Sequence, residues 1–166
     1  MKTIEIFGDD RENTYTKKVE GCRGIIIRGG QILLSFYKNQ NRYLIPGGGI
    51  EGKESLTECC CRELAEEVGL IVDAHTHYLT LEEYYHEFYF KSHYFLCGYV
   101  SECERKLTEN EKATGLEPRW LDFNEALKIF GEYEKYINTD EVTYGAYYRE
   151  YVALSEFKNM YVDKDN

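Results

Sequence analysis

The chain has no surplus of positive charge: 20 lysines and arginines stand against 30 aspartates and glutamates, for a formal net charge of -10. Sequence-independent binding to nucleic acid or anionic lipid depends on a positive field, so neither is expected as a general mode of action. No apolar run approaches the length of a membrane span, and the opening MKTIEIFGDD lacks the charged-then-apolar layout of a signal peptide. A cytoplasmic location, away from membranes, is the expectation. The six cysteines, Cys22, Cys59, Cys60, Cys61, Cys97 and Cys103, contain no C-x-x-C pair, and three of them are adjacent. Three neighbours on a helix point in three directions, so they form neither a zinc site nor a disulfide framework. They read as reduced packing thiols. There is no internal repeat and no linker, and 166 residues suit one domain, 1–166, with enough chain to bury a core.

What is present is a folded, tyrosine-rich composition, with 43% hydrophobic residues and 16 tyrosines. Strands are predicted at Thr3 to Phe7, Gly24 to Arg28 and Gln31 to Tyr37, the last two joined by a Gly29-Gly30 hairpin signal. Tyr43-Leu44-Ile45 runs into Pro46 and three glycines, Gly47-Gly48-Gly49, which read as a loop. Ser55 with Glu58 forms a capping box, and Gly69 supplies a left-handed stop, so the next helix should span Leu56 to Val68. Strands follow at Ile71 to Leu81 and Phe88 to Val100; Leu107 to Leu116 is polar and reads as a loop before a short Trp120-Leu121 strand. Asp122 opens a second helix that Gly131 closes, and a third covers Glu141 to Phe157, with Tyr144, Tyr147, Tyr151 and Leu154 at helical spacing. Strands followed by terminal helices fit an α/β class, a mixed sheet sandwiched by helices.

On the first helix each residue turns about 100°, which sets Glu66 roughly 60° to one side of Glu63 and Glu67 roughly 40° to the other. The three carboxylates share a face. Thr57, Cys60, Cys61, Leu64 and Val68 form the expected buried stripe, and Arg62, Glu58 and Ala65 the far side. Like charges three and four residues apart repel, and the second half of a helix disfavours anions. A divalent cation over that face removes the conflict, and carboxylate oxygens are the ligands that Mg2+ or Mn2+ prefers. The preceding glycines let backbone groups approach the same ion or its phosphate ligand.

The spacing Gly48, five residues, Glu54, seven residues, then Arg62-Glu63-Leu64-Ala65-Glu66-Glu67-Val68-Gly69-Leu70 resembles the Nudix box of the MutT-like hydrolases at every fixed position. The strands before it, Pro46-Gly47-Gly48 leading into it, and the tryptophan strand and helix after it fit the same layout. The resemblance implies a Nudix-type α/β/α sandwich around a mixed β-sheet. It also implies a Mg2+- or Mn2+-dependent pyrophosphohydrolase, cleaving a nucleoside diphosphate linked to another moiety by attack of water on phosphorus, with modified nucleoside triphosphates among the candidate substrates. Glu63, Glu66 and Glu67 would then be metal ligands, with the Gly48 carbonyl an additional one, and Arg62 and Glu54 would orient them.

The general base varies within such a family, and Glu109 and Glu111 are the candidates outside the box. Arg23, Lys38 and Arg42 are candidate phosphate contacts, and Tyr43 a candidate for stacking on a base. His75 and His77 alternate on a strand and read as solvent-facing rather than as a metal pair. The scarcity of proline, only Pro46 and Pro118, departs from the branches that act on ADP-ribose and NADH. The rival class is an inactive nucleotide-sensing domain, but the intact box favours the enzyme. Isomerisation of an isoprenoid diphosphate is a third reading that nothing in the spacing specifically requests. The partner is a nucleotide-type small molecule, and the protein is expected as a monomer or homodimer.

Overall fold

The structure, a computed structural model, describes residues 1–11 and 14–162. In chain order the strands and helices are β1 (Lys2–Ile6), β2 (Lys17–Ile25), β3 (Ile27–Arg28), β4 (Gln31–Tyr37), β5 (Arg42–Leu44), β6 (Gly47–Gly49), α1 (Leu56–Val68), β7 (Leu70–Tyr85), β8 (Phe88–Glu102), α2 (Glu109–Thr114), β9 (Leu116–Asp122), α3 (Phe123–Gly131) and α4 (Glu141–Phe157). They are distributed over two compact units, each made of two chain segments: Met1–Ile25 with Pro46–Lys106, and Ile26–Ile45 with Leu107–Asn166.

The first unit holds a five-stranded mixed sheet in the order β1-β7-β8-β2-β6. β1 runs parallel to β7 and β2 parallel to β8, while β7/β8 and β2/β6 are antiparallel. Helix α1 lies against this sheet because Gly24 leaves no side chain in the way: a Cβ there would stand 2.6 Å from a Leu64 methyl and 3.0 Å from the Cys97 sulfur. Its buried residues are Cys59, Cys60, Leu64, Glu67 and Val68. This corrects the expected stripe: Thr57 is exposed and Cys61 half-buried, and Cys59 takes the place beneath the glycine strand. Burial of a glutamate in that row was not foreseen from hydrophobic periodicity alone.

The expected loop at Gly47-Gly48-Gly49 is a strand. Its backbone pairs with Gly21, Cys22 and Arg23 of β2, and the three glycines permit the approach: a side chain on Gly47 would strike the Cys22 carbonyl, and one on Gly21 the Gly48 carbonyl. Gly47 has φ 149°, which favours glycine as well.

In the second unit β4 pairs antiparallel with β3, β5 and β9. Helices α3 and α4 meet through rings, Phe123 on Phe157 at 5.6 Å and Phe130 on Tyr147 at 5.2 Å between centroids. Tyr147 and Leu154 are buried as the spacing predicts, whereas Tyr144 and Tyr151 are half-buried and gather around Tyr133. The segment expected to be a loop, 107–116, contains α2. Thr108 and Glu111 satisfy each other's backbone donors in a capping box and Gly115 closes the turn at φ 68°, so six residues suffice.

Candidate active site

Both ends of α1 are fixed by local chemistry. The Ser55 hydroxyl accepts from Glu58 N–H, the Glu58 carboxylate accepts from Ser55 N–H, and Gly69 closes the helix at φ 71°. The Ser55 N–H, and after it the Ser55 hydroxyl, hold the Glu58 carboxyl below its ordinary range. With those ends set, the helix presents its second half to β6.

There the glutamates meet the glycine strand. Glu67, only 3% exposed, accepts from the Gly47 N–H at 3.0 Å. The Glu63 carboxylate lies against Gly48 so closely that a Cβ on Gly48 would stand 2.5 Å from its carbon and both its oxygens. The Cys59 thiol donates to the Gly48 carbonyl at 3.7 Å, so this cysteine steadies the strand from below. Its neighbour Cys60 packs on Cys97 with the sulfurs 3.7 Å apart, and that contact together with burial pushes its thiol pKa up. These two are packing thiols.

Arg62 is the hub. Its guanidinium forks onto Glu54, Nε to one oxygen at 2.9 Å and Nη2 to the other at 2.7 Å, and Nη2 also donates to the Gly49 carbonyl at 2.9 Å. Nη1 donates to Glu63 at 2.9 Å and to Glu66 at 3.1 Å. A fork onto a carboxylate is the strongest geometry arginine offers. The fork, with the Glu51 N–H at 2.8 Å, holds the Glu54 carboxyl down at about 2, and the glutamates hold the Arg62 guanidinium above its ordinary value. Arg62 therefore does not sit on the far side expected for it: at about 100° per residue it starts about 40° from Glu66, its i,i+4 partner, and its stem carries the guanidinium on to Glu63 and Glu54.

These carboxylates, with one guanidinium among them, carry a surplus of negative charge. Among the described residues, no three carboxylate, imidazole or thiol groups stand close enough to chelate a single ion as they are placed; Glu63 and Glu66 are turned to Arg62 instead. The donor chemistry nonetheless fits a hard divalent cation. Glu63 and Glu67 reach the Gly47-Gly48 backbone from one helix face, every donor is an oxygen, and the bare Gly48 Cα keeps the approach clear.

The remaining candidates fall in different places. Arg23 belongs to the first unit and pairs across from Gly47. Lys38, Arg42, Tyr43, Glu109 and Glu111 belong to the second. Arg42 donates to the Gln40 side chain at 2.6 Å, and the Lys38 backbone N–H donates to the Gly115 carbonyl. The Tyr43 N–H donates to the Tyr147 hydroxyl, and the Tyr43 hydroxyl accepts from Arg119. Glu109 pairs with Lys112 and Glu111 is engaged in its helix cap. Sequence reasoning missed Arg119, whose guanidinium lies 3.6 Å over the Phe36 ring beside Tyr43; only the cross-strand register of β4 and β9 reveals that neighbour.

The fold and the box together define a mixed α/β protein with a glutamate-bearing helix facing a glycine strand. Residues 21–141 match the family model described as NUDIX domain. The chain belongs to the Nudix family.

Solved structures with a similar fold include a NUDIX hydrolase from Nitrosomonas europaea, with TM-score 0.54 and 20% identity over 65% of this chain and 74% of that one. The MutT protein from Methanosarcina mazei Go1 aligns with TM-score 0.53 and 19% identity over 71% and 85%. A UDP-X diphosphatase aligns with TM-score 0.53 and 17% identity over 68% of this chain and 54% of that one. Comparison with curated proteins gives no match. No helix among the described residues is long and apolar enough to cross a membrane.

Proposed function

We propose that the protein is a divalent-cation-dependent pyrophosphohydrolase that cleaves a nucleoside diphosphate linked to another moiety, with water attacking phosphorus. The observation that supports this most is the convergence of Glu63 and Glu67 on the Gly47-Gly48 backbone, with Arg62 bridging Glu54, Glu63 and Glu66. Glu63, Glu66 and Glu67 would hold the cation, Mg2+ or Mn2+. Such an ion supplies charge neutralisation at the bridging phosphates and a bound water of lowered pKa.

The chain's own groups do the rest. Arg62 orients Glu63 and Glu66 through its Nη1. Glu54 anchors that guanidinium, and a box glutamate accepts the proton of the attacking water. The Gly47 N–H fixes Glu67 so that its carboxylate does not swing away. Glu109 and Glu111 are not needed as bases in this scheme.

The test is hydrolysis by the full chain across nucleoside triphosphates, dinucleotides and nucleotide sugars with Mg2+, with products identified by mass spectrometry. Glu67→Gln keeps an acceptor for the Gly47 N–H but loses the charge. Its kcat should fall by about 10²-fold or more, the scale of removing one preorganised electrostatic group, at unchanged melting temperature. Chelation of the cation should abolish turnover. Full activity in the variant would sink the assignment, and tight ligand binding without product would move the protein to the sensing class.

A further inference from the structure

On the β7–β8 pair of the first unit, three donor atoms face one another. His77 Nε2 and His93 Nδ1 are 3.3 Å apart, the Thr80 hydroxyl is 3.1 Å from the first and 3.2 Å from the second, and the Met1 sulfur is 3.8 Å from that hydroxyl. A break in register between His77 and Leu79 builds the group: His77 pairs with Phe95 and Leu79 with Tyr94, leaving Tyr78 as the extra residue. The bulge brings residues 77 and 80 together beside His93. None of these side chains takes part in the glutamate site.

A carboxylate backs the cluster. His93 is 5% exposed, and its Nε2 lies 2.7 Å from the Glu20 carboxylate, which can only accept a hydrogen bond. Nε2 therefore carries a proton, and Nδ1 faces the Thr80 hydroxyl and His77. The His77 ring also hydrogen-bonds the Leu79 backbone and stacks on Phe95 at 4.7 Å, which orients it. Burial and the neighbouring His93 hold the His77 imidazole below its ordinary pKa, favouring the neutral ring. Two imidazole nitrogens and a thioether thus surround one hydroxyl.

The dimensions suit a metal ion. Tetrahedral coordination with metal–nitrogen bonds of about 2.0–2.1 Å sets ligands about 3.3 Å apart, close to each edge of this triangle. A carboxylate on the far nitrogen of a ligating histidine is the usual means of fixing its orientation. We propose that His77, His93 and Thr80 form a site for a late first-row transition ion such as Zn2+, chemically unlike the all-oxygen glutamate face, with Met1 or water in the fourth position. Imidazole and thioether donors disfavour Mg2+, so the two sites would sort ions by hardness.

The experiment is a titration of the full chain with Co2+ and with Zn2+ in excess Mg2+, followed by visible absorption of the cobalt and by calorimetry. One equivalent should bind and give the intense spectrum of tetrahedral cobalt. His77→Phe, which retains a ring against Phe95, should lose that spectrum. Glu20→Gln, at a half-exposed position, should weaken binding about 10–100-fold, as loss of such an orienting carboxylate does. Glu67→Gln should bind as the wild type. Absence of stoichiometric binding in the wild type overturns the proposal. So does binding that survives His77→Phe and disappears in Glu67→Gln, which would put the ion on the glutamates. Circular dichroism of each variant separates lost binding from lost folding.

Discussion

Replacing Gly48 by alanine isolates the contact on which the catalytic reading depends. The new methyl would stand 2.5 Å from the Glu63 carboxylate, about 1 Å short of ordinary van der Waals contact, which begins near 3.4 Å. The obstacle is the far end of a flexible side chain, so the strand can stay and Glu63 must withdraw. A displacement of about 1 Å in a reacting group costs about 10²-fold in rate, equivalent to about 2.7 kcal/mol of barrier. An off-rotamer Glu63 costs stability only about 0.5–1.5 kcal/mol. Gly49→Ala is the control, because its Cβ meets nothing nearer than the Glu20 carbonyl at 3.9 Å. Steady-state hydrolysis of the best substrate with Mg2+, paired with thermal denaturation, should show kcat falling about 10²-fold in Gly48→Ala and staying near wild type in Gly49→Ala, with both folded. Wild-type turnover in Gly48→Ala would refute the reasoning, since Glu63 would then be catalysing from somewhere other than its place beside Gly48. An equal loss in Gly49→Ala would refute it too, as mere sensitivity of the strand.

Arg62→Lys keeps the charge but loses the fork onto Glu54 and the reach to Gly49, so kcat should fall more than KM rises, and metal affinity should drop about 10–100-fold; titration calorimetry with Mn2+ reads it. The Glu54 carboxyl ordinarily titrates at 4.5 and is held at about 2 in the folded protein. Its stabilisation is therefore complete above about 4.5 and is lost as pH falls toward about 2. Acid unfolding of Glu54→Gln should accordingly be shallower than that of the wild type over that window. Gly24→Ala forces a methyl against Leu64 and Cys97, and overpacking of this kind costs about 1–3 kcal/mol, read as a lower melting temperature with the box residues untouched.

The sequence was legible wherever the decisive interaction closes within a few residues. Ser55, Glu58 and Gly69 bound α1 through hydrogen bonds no more than a turn or so away, so the helix spans Leu56–Val68 as its caps require. The same holds for α4 and β4, whose ends match the expected ranges. The shared face of Glu63, Glu66 and Glu67 follows from helical geometry, and the fixed spacing from Gly48 to Leu70 carries the family.

Elsewhere local signals were silent. Thr108 and Glu111 carry a cap as clear as that of α1, but α2 is so short that its polar composition concealed it. Glycine has no side chain to pattern, so nothing local distinguishes a loop at 47–49 from a strand; the pairing with Gly21–Arg23, more than twenty residues earlier, decides it. The far-side placement expected for Arg62 misread the helical projection, which itself sets Arg62 about 40° from Glu66, its i,i+4 partner. His77 looked solvent-facing because strict alternation was assumed, and the extra residue His75, between the Ala74/Cys97 and Thr76/Leu96 pairs, breaks it.

By itself, then, the sequence determined the caps, the box and the carboxylate face, all set by short-range geometry that any fold must respect. Tertiary structure alone decided that Glu63 rests on Gly48, that Glu67 is buried beneath the Gly47 N–H, and that Thr80 and His93 meet His77 while Glu20 meets His93. These contacts join residues separated by up to 73 positions, and strand register, which a single bulge can shift, is what brings them into reach.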